Sequence, residues 1–211
     1  VVEGKSLLYS WESGGGSSFL GNYFNYLSSP FTVLIFLFDK ADISFAITAL
    51  VIVKCMASAV TFTYYLKASQ KRHSYVSAAF GVFYAFCAYF LAYYWNIMWI
   101  DGMILLPLIV LGIEQLVHNG KGALYTGALA VLLLSNYYMG YMACIFSVLY
   151  FLAYFLMTAK PRPEKSGEKL TTREKYSAKN LMRHPFLNRC ARFAGFSLLA
   201  GGLCAVTLLP T

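Results

Sequence analysis

Residues Tyr93 to Met103 read YYWNIMWIDGM, and they stand between two long apolar runs. The stretch contains an Asn, two Trp and one acid, with no Lys or Arg. A polar corner of this kind, rimmed with the aromatics that favour a membrane interface, reads as the turn between two membrane-spanning helices.

The rest of the chain agrees with that reading. Of its 211 residues, 59% are hydrophobic and 18% aromatic, the mean hydropathy is +0.58, and only 12% are charged. A soluble domain of this size carries about a quarter charged residues, so lipid is the main solvent. Six apolar runs read as spans, the third and fourth of them short: Ile43 to Leu66, Tyr75 to Tyr94, Met103 to Val117, Ala123 to Tyr138, Gly140 to Met157, and Phe193 to Leu209. The expected fold is an all-α membrane protein, a polytopic bundle of about six transmembrane helices.

Charge gives the sidedness. The formal net charge is +8, but ten of the 17 Lys and Arg lie between Lys160 and Arg192, with only Tyr176 and Phe186 as aromatics among them. That is a loop facing anionic lipid heads, and it gives no support to nucleic-acid binding. Lys67, Lys71 and Arg72 follow the first span and Lys121 the third. The loops WNIMWID and NYYMGY have no cation. Positive loops stay in the cytoplasm, so residues 1–42, Asp101, Asn136 and Thr211 are expected outside it. The organisation is then an outer segment (1–42), five helices (43–158), a basic cytoplasmic loop (159–192) and a sixth helix (193–211).

Within the outer segment, Ser28 to Phe31 (SSPF) offers a helix cap followed by Pro at the first helical position. The short apolar run after it stops at Asp39, which suits an interfacial helix. The glycine run at Gly14 to Gly16 reads as a turn or as an anion-binding nest. The five cysteines lack paired spacing and the three histidines are isolated in loops, so neither a disulfide framework nor a metal site is implied. No nucleotide, dinucleotide or hydrolase motif occurs, and no cofactor is expected.

Two ionisable residues stand out. Lys54, in the middle of the first span, costs about 2.5 to 3.5 kcal/mol there on insertion scales, and Ser58, Thr61 and Tyr65 share its helical face. It could meet a phosphate head group, a carboxylate or backbone carbonyls. Asp101, among Trp95, Asn96 and Trp99, reads either as a helix cap in the aromatic belt or as an acid facing a polar acceptor or a phosphate-linked sugar. Asn22, Asn25 and Asn136 add neutral hydrogen-bonding groups on the same side.

The blocks LYSWESGGGSSFLGNYFNYLSSPFTVLIFLF and NIMWIDGMILLPLIVLGIEQL, in this order around the Lys54 span, resemble the YfhO family of bacterial membrane proteins. The resemblance runs from Leu8 to Thr211. It implies a bundle like those of GT-C glycosyltransferases in the bacterial cell membrane. Such an enzyme takes a sugar from a polyprenyl phosphate carrier and passes it to a cell-wall polymer such as teichoic acid. The resemblance makes Asp101 and Glu12 the candidate catalytic acids, and Lys54, Trp95, Asn96, Trp99, Asn22 and Asn136 candidate substrate-binding residues. It also implies that the chain is a piece of the membrane core, beginning within the first outer loop, after the helix and base that such enzymes carry. A flippase or transporter of lipid-linked sugars is the alternative, as is a non-catalytic assembly subunit in which Ser197, Gly201 and Gly202 pack helices closely.

Overall fold

The computed structural model describes residues 9–10, 15–70, 75–158 and 185–205. A two-residue antiparallel ribbon pairs β1 (Tyr9–Ser10) with β2 (Ser17–Ser18). Gly15 and Gly16, both at positive φ, lie in its connection, a conformation glycine adopts without a Cβ clash. Helices follow: α1 (Phe19–Tyr26), α2 (Ile43–Gln70), α3 (Tyr75–Ala85), α4 (Ala88–Tyr93), α5 (Ile97–Asn119), α6 (Ala123–Ser135), α7 (Tyr137–Thr158) and α8 (Pro185–Leu203).

Four helical stretches are long and apolar enough to cross a membrane: Lys40–Gln70, Tyr75–Tyr93, Ile97–Asn119 and Tyr137–Thr158. The chain is thus an all-α, multi-pass membrane bundle. The 13 residues of α6 extend only about 20 Å. The 19 residues of α8 include Arg189 and Arg192 near their start. Among the described residues, α6 and α8 are not among these four.

Boundaries shift for identifiable reasons. The run Tyr75 to Tyr94 is not one helix, because Cys87 adopts an extended backbone (ψ 163°) and separates α3 from α4. The Cys55 thiol of α2 points at the Ala85 carbonyl beside this break, 3.9 Å away. The third helix starts at Ile97, six residues before the expected Met103, so most of WNIMWID is helix. Helix α8 starts at Pro185, which puts Cys190, Arg189 and Arg192 on a helix and not in the basic loop. Residues 206–211 lie outside the described ones.

Helix α5 is the axis of the bundle, packed by α2, α6, α7 and α8. Its buried face meets α6 at backbone distance: a Cβ on Gly112 would lie 2.5 Å from the Tyr125 nitrogen of α6. Pro107 lies inside α5 and cannot donate to the carbonyl four residues before it, that of Met103. The Tyr84 hydroxyl of α3 donates to that same carbonyl at 2.9 Å. In lipid a freed carbonyl finds no water, so this tyrosine completes the helix.

Helices α6 and α8 are joined by polar contacts. Tyr125 and Ser197 share a hydroxyl bond of 2.8 Å, Thr126 donates to the Phe196 carbonyl at 3.3 Å, and the Cys204 thiol donates to the Ala130 carbonyl at 3.2 Å. Ser197 takes part as expected, but a Cβ on Gly201 or Gly202 would meet nothing within 4 Å. Those glycines do not mediate the close packing; Ala200 and Cys204 are the buried residues there.

Candidate functional site

Lys54 and Asp101 form a buried ion pair. Lys54 Nζ lies 2.9 Å from Asp101 Oδ1 and also donates to the Ile97 carbonyl at 3.0 Å. Their exposures are 0% and 1%. Two charges in a low-dielectric interior hold together only when each compensates the other, which accounts for a cation placed mid-span. Asp101 is not the cap of α5. Asn96 holds the N-cap position, without a side-chain capping bond, and Asp101 sits a turn inside the helix.

The N-terminal segment closes the pair. Ser29 caps the 3₁₀ helix Pro30–Leu37 by accepting the Phe31 N–H at 3.3 Å, and it is buried on the Asp101 side. The Phe31 ring lies 5.8 Å from Lys54 Nζ, within cation–π range. The Ser28 hydroxyl reaches the carbonyls of Leu134 (2.6 Å) and Ser135 (2.9 Å) at the end of α6. Those carbonyls belong to a helix terminus and have no intrahelical donor. The outward side of the 3₁₀ helix is apolar, with Phe36 86% exposed.

Beside the pair, on another face of α5, opens a cavity of about 730 Å³. Tyr84, Cys87, Tyr89 and Tyr93 line it from α3, α4 and their junction, Trp99 and Met103 from α5, and Met139 and Phe146 from α7. Tyr93 and Trp99 meet at its rim, their ring centroids 5.5 Å apart. Asp101 and Lys54 are not among its lining residues.

The candidate residues therefore separate. Lys54 and Asp101 come together, and Trp99 joins the aromatic cavity. Trp95 is 65% exposed, with its indole N–H on the Ala92 carbonyl at 3.1 Å. Asn96 is buried next to the ion pair's helix end. Asn136 is fully buried and caps α7, its Oδ1 accepting the Met139 N–H at 2.8 Å, a structural use of its amide. Asn22 is exposed on α1. Glu12 lies outside the described residues.

One buried acid was absent from the sequence reading. Glu114 of α5 accepts hydroxyls from Tyr65 of α2 (3.1 Å) and Tyr150 of α7 (2.9 Å), both on Oε1. The signal was available, since Glu114 is an acid inside the apolar run LIVLGIEQLV. His118, one turn on, sits in the last turn of α5 and not in a loop, and shares a 2.7 Å bond with Tyr154. Among the described residues no group of three His, Cys, Asp or Glu converges to hold a metal.

The family described as "Bacterial membrane protein YfhO" matches residues 1–211. A relative from Bacillus subtilis (strain 168), "Uncharacterized protein YfhO", is 35% identical over 72 residues, which is 34% of this chain and 8% of that protein. No solved structure matches the chain. With a family match over its whole length and a bundle of membrane-length helices, the chain belongs to the YfhO family of bacterial membrane proteins.

Proposed function

We propose that this chain is the carrier-binding part of a membrane glycosyltransferase of the GT-C kind, which moves a sugar from polyprenyl phosphate to a cell-wall polymer such as teichoic acid outside the cytoplasm. The observation that carries the proposal is the aromatic cavity of about 730 Å³ between α4, α5 and α7. Its volume is that of a small-molecule site, and its walls suit an isoprenoid chain along Met103, Met139 and Met142, with a sugar face on Tyr93 and Trp99 at the rim.

The reaction breaks the bond from the anomeric carbon to the carrier phosphate and forms one to an acceptor oxygen, whose proton passes to a base. In this proposal the bundle supplies binding and orientation. Lys54 and Asp101 spend their charges on each other and act as positioning residues, fixing the end of α5 that presents Trp99. Neither takes the acceptor proton.

The test is photo-cross-linking of the full-length protein in bilayers with a polyprenyl phosphate carrying a photoreactive terminal isoprene. Adducts on the Met139 to Phe146 turn of α7, reduced several-fold by Met142→Trp, are the expected result. Adducts spread evenly over the lipid-facing surface of α2 would overturn the proposal.

A further inference from the structure

The first turns of α8 carry two arginines three residues apart, Arg189 and Arg192, on neighbouring positions of one face. Arg189 is half-buried, its guanidinium 5.6 Å from the centre of the Phe155 ring of α7. Arg192 is exposed and lies against Gly120, the left-handed cap that ends α5. The terminal carbonyls of a helix carry partial negative charge and favour a cation there. A guanidinium seated on a ring or on a helix end still has N–H donors to offer, out of five. Among the described residues, neither arginine has a hydrogen bond or an ion pair.

The charge at this end is one-sided. Lys121, next to Gly120, is exposed and adds a third cation. The described acids are Asp39, Asp42, Asp101 and Glu114. Asp39 and Asp42 precede α2 and Asp101 lies near the start of α5, all at the opposite end of the bundle. Glu114 is buried and takes the hydroxyls of Tyr65 and Tyr150. No exposed carboxylate among the described residues therefore answers the two arginines, and an anion from outside the chain would.

The helix face that leads away from Arg192 narrows the kind of anion. Gly195, Leu199 and Gly202 follow it at three, seven and ten residues, so they share its side of α8. A Cβ on Gly195 or Gly202 would meet nothing within 4 Å, and Leu199 is 53% exposed. The arginines thus have a shallow apolar trough directly behind them, which a phospholipid would use and a free phosphate ion would not.

We propose that Arg189 and Arg192 hold an anionic phospholipid, its phosphate across the two guanidiniums and one acyl chain along Gly195, Leu199 and Gly202. Guanidinium forks match phosphate oxygens in pairs, and basic pockets between transmembrane helices take such headgroups. Lys121 adds attraction for net negative charge, which a zwitterionic headgroup lacks. The site lies about 30 Å along α5 from Trp99, so it is separate from the aromatic cavity and independent of the sugar-transfer proposal.

The experiment is native mass spectrometry of the full-length protein released from detergent, with phosphatidylglycerol or with phosphatidylcholine of the same acyl chains. The original protein should retain one phosphatidylglycerol in preference to phosphatidylcholine, and excess inorganic phosphate should not displace it. Arg189→Gln with Arg192→Gln should weaken retention about tenfold or more. Gly195→Leu, which fills the trough and leaves the charges, should weaken it several-fold. Lys40→Gln, at the opposite end, should change nothing. Equal retention of the two lipids, displacement by inorganic phosphate, or loss in Lys40→Gln equal to that in the arginine variant overturns the proposal. So does undiminished retention in the arginine variant or in Gly195→Leu, and the latter decides alone if the arginine variant fails to fold.

Discussion

Lys54 Nζ meets Asp101 Oδ1 at 2.9 Å in the interior of the bundle, and neither side chain has more than 1% of its surface exposed. This contact joins α2 to α5 where both are otherwise apolar. It also fixes the N-terminal segment, because Ser29 and Phe31 pack onto the two charged groups.

Breaking the pair from one side leaves a lone buried charge. Asp101→Leu should destabilise the bundle by about 3 to 5 kcal/mol, whereas adding Lys54→Met to it should recover most of that loss. Thermal unfolding of the four members of this double-mutant cycle in one detergent measures the coupling. Additive losses would deny that the two residues act as a pair.

Tyr84 replaces a hydrogen bond that Pro107 cannot make. Tyr84→Phe should cost about 1 to 3 kcal/mol by orphaning the Met103 carbonyl. Pro107→Ala restores the backbone donor, so in that background the same Tyr84 change should cost much less. Equal losses in both backgrounds would show that the tyrosine stabilises by packing alone.

Gly112 has no room for a side chain against Tyr125. Gly112→Leu must push α6 away from α5, and overpacking of this kind costs about 1 to 3 kcal/mol or more. Gly201→Ala, where a Cβ meets nothing within 4 Å, should be neutral. Comparing their melting temperatures separates an intimate helix contact from an incidental glycine.

Cys87 lines the aromatic cavity, whereas Cys55 and Cys204 are buried elsewhere. A lipid-soluble maleimide should label Cys87 well ahead of those two, and Met142→Trp should slow the labelling several-fold by filling the space. Mass spectrometry of tryptic peptides reads out the order.

Much of the fold was legible from the sequence because lipid imposes simple rules. Apolar length marked the four long helices, and the cation on α2 called for a compensating group, with a carboxylate among the choices. That partner was misread as a surface acid because Asp101 stands among Trp and Asn, which resemble an interfacial turn. Whether a helix begins at Ile97 or at Met103 depends on its packing against α2, and that is not local information. The break at Cys87 has no proline or glycine to announce it. The pairing of Pro107 with Tyr84 joins residues 23 apart, and no periodicity within either helix reveals it. Glu114 was missed for a different reason: it lies inside a stretch already assigned as a span, where attention to hydropathy hides a single acid.

Sugar transfer by the full-length protein in proteoliposomes decides whether this bundle serves a glycosyltransferase. With labelled polyprenyl phosphate sugar inside the bilayer and a teichoic acid acceptor on the outer side, the original protein should transfer label. Met142→Trp should lower the rate at least tenfold at matched folded amounts. No transfer by the original, with labelled lipid nonetheless moving between leaflets, would contradict the account and identify a flippase.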